Sequence, residues 1–296
     1  MTKISLLIPT RGRPKILNRL LESIVRNTNN LADIEIILYI DEDDKSHEEI
    51  RSQSFTLTIK KLIRSKATMG ACNTACFKES TGDIIILLND DVVMRTANWD
   101  RILTNETSKI DDQIYLIYPN DLFKQKKLPT FPILSRRTCE LLQDPFPAAY
   151  KGSFIETQLF DIFIRLKYQG FDRIKYLDNV IFEHMHHRLD KAALDQTYKN
   201  RNRFGDDFTF VAFTNQRQTQ TKQLIRAINK QPITDDTFKN IIISAAPKDC
   251  FSALSLFYKN FMADKSLPIM YRSYLFYYHC VRYLAAKIIK TQADTA

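Results

Sequence analysis

Glycine is scarce in this sequence. The 296 residues include six glycines, where an average usage of about 7% would give roughly twenty. Loops that cradle nucleotide phosphates need glycine where the backbone approaches the ligand, as in G-x-G-x-x-G and G-x-x-x-x-G-K-[ST], and neither pattern occurs. The shortage removes the main support for a dinucleotide-binding or P-loop protein.

The sequence also lacks the marks of a secreted or membrane-spanning protein. Its five cysteines are odd in number and form no C-x-x-C pair, so a disulfide framework is not expected. The N-terminal apolar run is too short for a signal peptide, and no stretch reaches 18 apolar residues. These absences predict a cytoplasmic protein in a reducing setting.

Acidic residues become rare toward the end of the chain. Residues 213–296 hold twelve Lys and Arg against five Asp and no Glu, whereas the first 212 residues hold 31 basic and 29 acidic side chains. This change predicts a boundary between a domain at 1–212 and a basic C-terminal domain at 213–296. The excess of positive charge favours an anionic surface or partner, but a solvated helical appendage explains it equally well.

What the sequence does contain is an alternation of strand and helix patterns. Short Ile, Leu and Val runs are typical of buried strands, and apolar residues spaced by three and four are typical of helices. The alternation predicts an α/β fold, with a mixed, mostly parallel sheet flanked by helices and an all-helical C-terminal appendage. Strands are predicted at 4–9, 34–40, 55–63, 84–88, 114–119 and 174–187, and helices at 14–27, 67–80, 97–110, 154–170, 222–228, 237–246, 251–262 and 269–289.

Polar clusters follow three of the predicted strands: TRGR at 10–13, DEDD at 41–44 and NDD at 89–91. Ligands of open sheets bind beyond the carboxyl ends of the strands, so neighbouring parallel strands would bring these clusters into one crevice. Carboxylates hold Mg²⁺ or Mn²⁺, which completes its shell with phosphate oxygens, and arginines neutralise the remaining phosphate charge. The combination predicts a nucleotide-diphosphate site, although the acids at 90 and 91 are equally explained as turn residues.

Further candidates lie in the second half of the domain. Glu156 stands near the start of the predicted helix 154–170, and Asp161 lies in its second turn. The predicted strand 174–187 ends in three histidines. Because alternate residues of a strand face the same way, His184 and His186 would share one face, where they could form a metal or phosphate site.

The order and spacing of these segments resemble the inverting family 2 glycosyltransferases of the GT-A fold. ISLLIPTRGRP is similar to the family's first strand and loop, and IDEDD to the acidic end of its second strand. GACNTACFKESTGDIIILLNDDVV resembles the stretch from the donor-site helix to the D-x-D motif. The resemblance covers residues 3–210, and VIFEHMHHRLDKAALDQTY more loosely resembles a bacterial and phage subset with an E-H-x-H segment.

The resemblance implies roles for particular residues. A nucleotide-sugar donor would bind at the strand ends and the donor-site helix, Mn²⁺ or Mg²⁺ would bind at two strand tips, and an acid at a helix start would be the catalytic base. The implied donor-binding residues are Pro9, Thr10, Arg11, Arg13, Asp41, Asp43, Asn73, Asn89 and Asp90; the implied metal ligands are Asp91, His184 and His186; the candidate bases are Glu156 and Asp161.

Two departures from the family pattern bear on these roles. The first acid of D-x-D is the amide Asn89 here, so the metal site is one charge poorer; by register Asp91 takes the metal and Asp90 faces the donor sugar or ribose. The helix-start E-D motif is Glu156 followed by threonine. Counting back from Arg165 instead brings the base position nearer to Asp161, so both acids stay open.

The implied function is metal-dependent transfer of a sugar, with inversion, from a nucleotide-diphosphate sugar to a hydroxyl of a glycan, a lipid-linked acceptor or a cell-surface polysaccharide. A non-catalytic nucleotide-sugar-binding relative remains an alternative because of Asn89. A nucleotidyltransferase of similar fold is a second alternative, which the single Gly12 after the first strand disfavours. The basic tail contains no recognised nucleic-acid motif, so no nucleic-acid partner is expected.

The last predicted helix, 269–289, is both aromatic and basic. A helix of this composition could lie on an anionic membrane surface, such as the inner face of the cell membrane. It could equally pack on the catalytic domain or on a second subunit. Packing is favoured, because exposed apolar patches are normally covered.

Overall fold

The computed structural model of the protein describes residues 2–50, 56–186, 202–233 and 241–294. The chain divides into two compact units, which we call the sheet unit and the helical unit. The sheet unit comprises Met1–Phe160 and Arg173–Arg201, and the helical unit comprises Asp161–Asp172 and Asn202–Ala296. This division differs from the predicted boundary at 212, because residues 161–172 and 202–212 group with the tail.

Eight strands and five helices are described in the sheet unit, the fifth helix ending in the helical unit. The strands are β1 (Ile4–Thr10), β2 (Ile34–Asp41), β3 (Thr58–Arg64), β4 (Ile84–Leu87), β5 (Val92–Met94), β6 (Leu116–Asn120), β7 (Ile133–Ser135) and β8 (Ile174–His184). The helices are α1 (Pro14–Asn27), α2 (Met69–Glu79), α3 (Trp99–Thr107), α4 (Arg136–Leu142) and α5 (Ile155–Tyr168).

The strands form one mixed sheet in the order β3-β2-β1-β4-β7-β6-β8-β5. Four of its seven pairings are parallel, namely β1 with β2, β1 with β4, β2 with β3 and β6 with β8. The short strand β7 runs antiparallel to both of its neighbours, and β5 runs antiparallel to β8. The predicted α/β class and mixed, mostly parallel sheet are therefore confirmed.

The sheet is buried on both faces near its centre, as its nearly continuous apolar strands predict. On one face, alternate residues of β1, β2 and β4 pack with the apolar stripe of α1. On the other face, Cys72 and Cys76 of α2 are buried, which agrees with α2 packing on β1 and β2. Pro14 begins α1, where its missing N–H costs no hydrogen bond.

The helical unit contains α6 (Asp207–Ala212), α7 (Thr214–Ile228), α8 (Cys250–Phe257), a π-helical turn at Tyr258–Met262 and α9 (Ile269–Asp294). The predicted tail helices at 222–228, 251–262 and 269–289 fall within these elements. The predicted helix at 237–246 is not observed at residues 241–246, and its remainder lies outside the described residues. Within the described ranges, no helix combines the length and the apolar character needed to cross a membrane.

The short elements β5, β7 and α4 were not predicted from the sequence. The two strands span three residues each, and a period of two cannot be recognised over so short a run. The strand predicted at 174–187 ends at His184, so His186 lies just beyond it.

Candidate active site at the carboxyl edge of the sheet

The loops that follow β1, β2 and β4 lie side by side. Thr10 pairs with Ile40 in the β1–β2 register, and Leu7 pairs with Leu87 in the β1–β4 register. The three strands are parallel, so their carboxyl ends meet at one edge of the sheet. The polar clusters at 10–13, 41–44 and 89–91 therefore lie together at this edge, where hydrogen bonds join them.

Arg11 joins the first cluster to the second. Its guanidinium donates two hydrogen bonds to the carboxylate of Asp43, at 2.6 and 2.7 Å, and a third to Asp41. The backbone N–H of Gly12 donates to Asp44 at 2.6 Å, and Gly12 has a φ of 64°, which favours glycine. These contacts fix the first loop against the acidic end of β2.

Asp90 joins the first cluster to the third. Its carboxylate accepts hydrogen bonds from the Thr10 hydroxyl at 2.8 Å and from Arg13 at 3.0 Å. Burial raises the pKa of Asp90 to about 6, an effect that the charge of Arg13 opposes and that of Asp91 increases. The positive charge of Arg13 therefore stabilises the ionised carboxylate of Asp90, which is buried away from water.

Asp91 lies beside His184, at the tip of β8. Strand β5 pairs with β8 so that Val92 is opposite His184, and the N–H of Met185 donates to the carbonyl of Asp91 at 2.8 Å. The Asp91 Oδ1 and His184 Nε2 atoms are 3.3 Å apart, and both side chains are buried. Neither ring nitrogen of His184 has a hydrogen-bond partner within the part of the chain that the structure describes.

An aromatic group surrounds this histidine. His186 stacks on Phe123, with ring centroids 5.0 Å apart, and its ring also meets that of His184 edge-on at 5.0 Å. Phe131 contacts His184 at a centroid distance of 5.4 Å. The predicted neighbours His184 and His186 thus lie together, whereas His187 lies outside the described residues.

The start of α5 is anchored near the same edge by the loop at 146–153. This loop packs on the N-terminus of α2, where the N–H of Gly70 donates to the carbonyl of Tyr150 at 3.0 Å. A Cβ at Gly70 would lie 1.9 Å from the Pro147 carbonyl oxygen, so only glycine permits this approach. Glu156 follows in the first turn of α5 and is half-buried.

Residues 5–144 match the sequence profile of glycosyl transferase family 2. These residues include β2, β4, all of β1 except its first residue, and all three polar clusters. A search of curated proteins by sequence gave no significant match.

Solved structures are similar to this chain beyond the matched residues 5–144. TarS from S. aureus is similar at 12% identity and a TM-score of 0.52, over 95% of this chain and 53% of TarS. Residues 1–349 of TarS in complex with UDP-GlcNAc are similar at 13% identity and a TM-score of 0.53, over 98% and 92% of the two chains. The chain thus spans about half the length of full TarS. At identities this low, the structural similarity shows a shared fold alone.

The two candidate bases lie in different surroundings. Asp161 is fully buried in the helical unit, where its Oδ1 accepts hydrogen bonds from Arg165 at 2.5 Å and from Arg217 at 2.9 Å. Both guanidinium groups donate to the same carboxylate oxygen, so Asp161 pairs with two buried arginines. This placement disfavours Asp161 and leaves Glu156 as the candidate base.

The remaining predicted donor-binding residues differ in their exposure to solvent. Pro9 precedes Thr10 in β1, Asn73 is buried in α2, and Asn89 is exposed at the turn before Asp90. The exposed amide of Asn89 does not share the buried environment of the two acids that follow it.

Sequence reasoning missed Asp121 and its loop. The Asp121 carboxylate accepts hydrogen bonds from three consecutive backbone N–H groups, at 123–125, and from the Thr130 hydroxyl. This fixes the loop that carries Phe123 against the histidines. The signal was present in the sequence, because Asn120 ends β6 and Asp121 follows it, which makes a fourth polar cluster at a strand end.

The chemistry of Asp91 and His184 fits a divalent cation. A buried imidazole without a hydrogen bond, 3.3 Å from a buried carboxylate, offers one nitrogen and one oxygen donor. The described residues contain no group of three or more His, Cys, Asp and Glu side chains arranged to hold a metal. A cation at this site would therefore need most of its shell from other ligands, such as substrate phosphates and water.

Proposed function

We propose that this chain is a metal-dependent glycosyltransferase that moves a sugar from a nucleotide-diphosphate sugar to an acceptor hydroxyl with inversion. The observation that carries the proposal is the buried Asp91–His184 pair at the edge of a family 2 sheet. It adjoins the crevice in which Arg11 and Arg13 meet Asp43 and Asp90.

Donor binding would use the charges of this crevice. Asp41 and Asp43 would receive the nucleotide base, and Thr10, Arg11 and Arg13 would line the nucleotide with Pro9 and Asn73. Both arginines already bond to carboxylates. Their geometry is therefore set before the ligand arrives, which lowers the entropy lost on binding.

Asp91 and His184 would hold Mn²⁺ or Mg²⁺, with His186 next to them. The cation, when bound, stabilises the negative charge that develops on the leaving nucleoside diphosphate. Asp90 would keep Arg13 beside the same phosphates, because the pair is buried and joined at 3.0 Å. The amide at Asn89 leaves this arrangement with one acid fewer than a D-x-D motif would supply.

Glu156 would act as the general base. In an inverting transfer the acceptor oxygen attacks the anomeric carbon while the bond from that carbon to the diphosphate oxygen breaks. The acceptor hydroxyl loses its proton in this step, and a carboxylate within hydrogen-bond reach accepts it. Glu156 is positioned for this role by the first turn of α5, which follows the anchored loop 146–153.

A binding and turnover experiment tests the proposal. Thermal shift with UDP-, GDP- and dTDP-sugars, with and without Mn²⁺, should show a rise in melting temperature that needs both donor and metal. The responding donor should then release nucleoside diphosphate in the presence of a glycan or lipid-linked acceptor. Asp178→Asn, on the exposed part of β8, is the matched control for Asp91→Asn.

The same experiment separates the alternatives. A non-catalytic relative would bind the sugar nucleotide without releasing nucleoside diphosphate. A nucleotidyltransferase would bind a nucleoside triphosphate and release pyrophosphate. Failure of every sugar nucleotide to shift the melting temperature would contradict the proposal.

A further inference from the structure

A row of apolar side chains lies exposed along α9 of the helical unit. Their exposed fractions range from 45% to 81%, in a helix whose other residues include fully buried ones. Monomeric proteins rarely leave a continuous apolar surface of this kind uncovered. The row, which we call the α9 stripe, consists of Met270, Tyr274, Tyr277, Val281, Leu284 and Ile288.

The spacing of the α9 stripe is that of a coiled-coil seam. Successive members are separated by four, three, four, three and four residues. On a helix with 3.6 residues per turn this places all six within an arc of about 80°. The opposite face of α9 packs within the helical unit, where Leu275, His279 and Tyr283 are buried. A narrow stripe with alternating spacings of three and four matches the surface of another helix.

Three cations of α9 bond within the helical unit instead of flanking the stripe as they would on a membrane-binding helix. Arg272 donates to the Met262 carbonyl at 2.9 Å, Arg282 bonds to Asp207, and Lys287 donates to the Lys248 carbonyl at 2.8 Å. All three partners belong to the helical unit. The α9 stripe itself contains no charged residue, which favours a protein helix over an anionic bilayer.

We propose that the α9 stripe is a self-association surface, on which α9 of a second copy of this chain packs antiparallel. The stripe is symmetric about position 279: Met270 and Ile288 lie nine residues from it, and Tyr277 and Val281 lie two residues from it. A two-fold axis at this position would place Tyr277 against Val281 of the partner subunit. It would also place Tyr274 against Leu284 of the partner subunit, so that each large ring meets a smaller aliphatic side chain.

The area of the stripe suits a dimer. Six apolar side chains exposed by about half or more present on the order of 700 Å² per chain, close to the ~800 Å² per partner of a standard interface. An antiparallel pair buries all six residues of both copies, whereas a monomer leaves them in water. This inference concerns the helical unit and does not depend on the proposed transfer reaction.

Sedimentation velocity on the full chain tests the association. The wild-type chain should sediment as a dimer at micromolar concentration. Tyr277→Glu should raise the dissociation constant of the dimer at least tenfold and shift the chain to monomer, because a carboxylate would be buried in an apolar seam. Tyr168→Glu is the matched control, since Tyr168 is 52% exposed at the end of α5, and it should leave the dimer intact.

A charge-exchange pair tests the antiparallel register. Val281→Lys alone should also give monomer, but Tyr277→Glu combined with Val281→Lys should restore the dimer, since each Glu would face a Lys of the partner. A parallel pair would place Glu against Glu and would not be rescued. Circular dichroism on each variant shows that it is folded, and rescue by the double variant cannot come from unfolding.

Three outcomes would overturn the inference. The wild-type chain could remain monomeric up to about 100 μM, Tyr277→Glu could leave the dimer unchanged, or the double variant could stay monomeric while both single variants are folded. A wild-type monomer that binds phosphatidylglycerol vesicles, and loses that binding in Tyr277→Glu, would assign the stripe to a membrane instead.

Discussion

Two buried aspartates, Asp91 in the sheet unit and Asp161 in the helical unit, show how differently the same side chain can be used. Both are nearly inaccessible to water, at 3% and 0% exposure. Asp161 accepts hydrogen bonds from Arg165 and Arg217. Arg165 also donates a hydrogen bond to Asp264 at 2.5 Å. Asp91 instead faces His184, whose ring nitrogens have no hydrogen-bond partner in the described ranges.

The difference lies in the partners and not in the burial. A buried carboxylate that pairs with two buried arginines has a structural role, because its removal would leave their charges buried without a partner. Asp91 lies beside a buried imidazole whose nitrogens have no hydrogen-bond partner in the described ranges. The two side chains offer an oxygen and a nitrogen that a divalent cation accepts as ligands. The four predictions below test this comparison, starting with the largest expected effect.

Asp91→Asn should reduce turnover by on the order of 10³-fold. The amide would no longer attract a cation, and the leaving diphosphate would lose its charge stabilisation. Initial rates of nucleoside diphosphate release, measured across Mn²⁺ concentrations, check this, and Asp178→Asn should retain the wild-type rate. Near-normal turnover in Asp91→Asn would contradict the assignment of the metal to this residue.

Asp161→Asn should lower the free energy of unfolding by about 3 kcal/mol, because it leaves two buried arginines short of a negative charge. Calorimetry on the full chain should show this loss of stability as a lower temperature of thermal unfolding. Donor binding below that transition should be unchanged. If Asp161→Asn is stable but has a pure kcat defect, Asp161 is the base and the comparison drawn here fails.

Glu156→Gln should lower kcat by on the order of 10²-fold, the usual scale of general-base catalysis. Donor affinity should change little, since the variant affects the chemical step alone. Single-turnover rates together with a donor titration separate the two effects. Glu140→Gln, an exposed glutamate of α4, is the control, and an equal loss in both variants would argue against Glu156.

Sequence patterns were sufficient to predict the sheet and its polar edge. Buried strands of the type ISLLI and IEIILYI allow little choice of structure, and polar residues at their ends mark the crevice because parallel strands end together. The pairing of Arg11 with Asp43 was not predicted, because it depends on side-chain directions in two loops. The three-residue strands were likewise too short to give a pattern.

The choice between the two candidate bases could not be made from the sequence. Asp161 and Arg217 are 56 residues apart, and no local period reveals that they meet. A helix position alone does not say whether an acid faces a crevice or a buried arginine. The partner of a charged residue is a tertiary feature, and it decides the role of each acid discussed here.

The opposite edge of the sheet supplies the smallest of the expected effects. Glu35, near the start of β2, is buried with a full set of donors: Lys3 at 2.8 Å, Ser5 at 2.5 Å, and Thr81 and Gly82 at 3.0 Å each. Burial alone would raise the pKa of Glu35, but the hydrogen bonds from Lys3, Ser5 and Thr81 outweigh it and lower the pKa to about 2.

Glu35→Gln should lower the free energy of unfolding at pH 7 by about 1–2 kcal/mol, since Lys3 is partly exposed and water weakens its attraction. The folded-state pKa lies below the ordinary value of 4.5. The folded chain therefore binds fewer protons than the unfolded chain between pH 2 and 4.5, and the stabilisation is present above pH 4.5 and lost as the pH falls toward 2. Melting temperatures of the wild type and Glu35→Gln should differ at pH 7 and converge near pH 2, and a difference that stays constant with pH would mean that the charge of Glu35 contributes nothing.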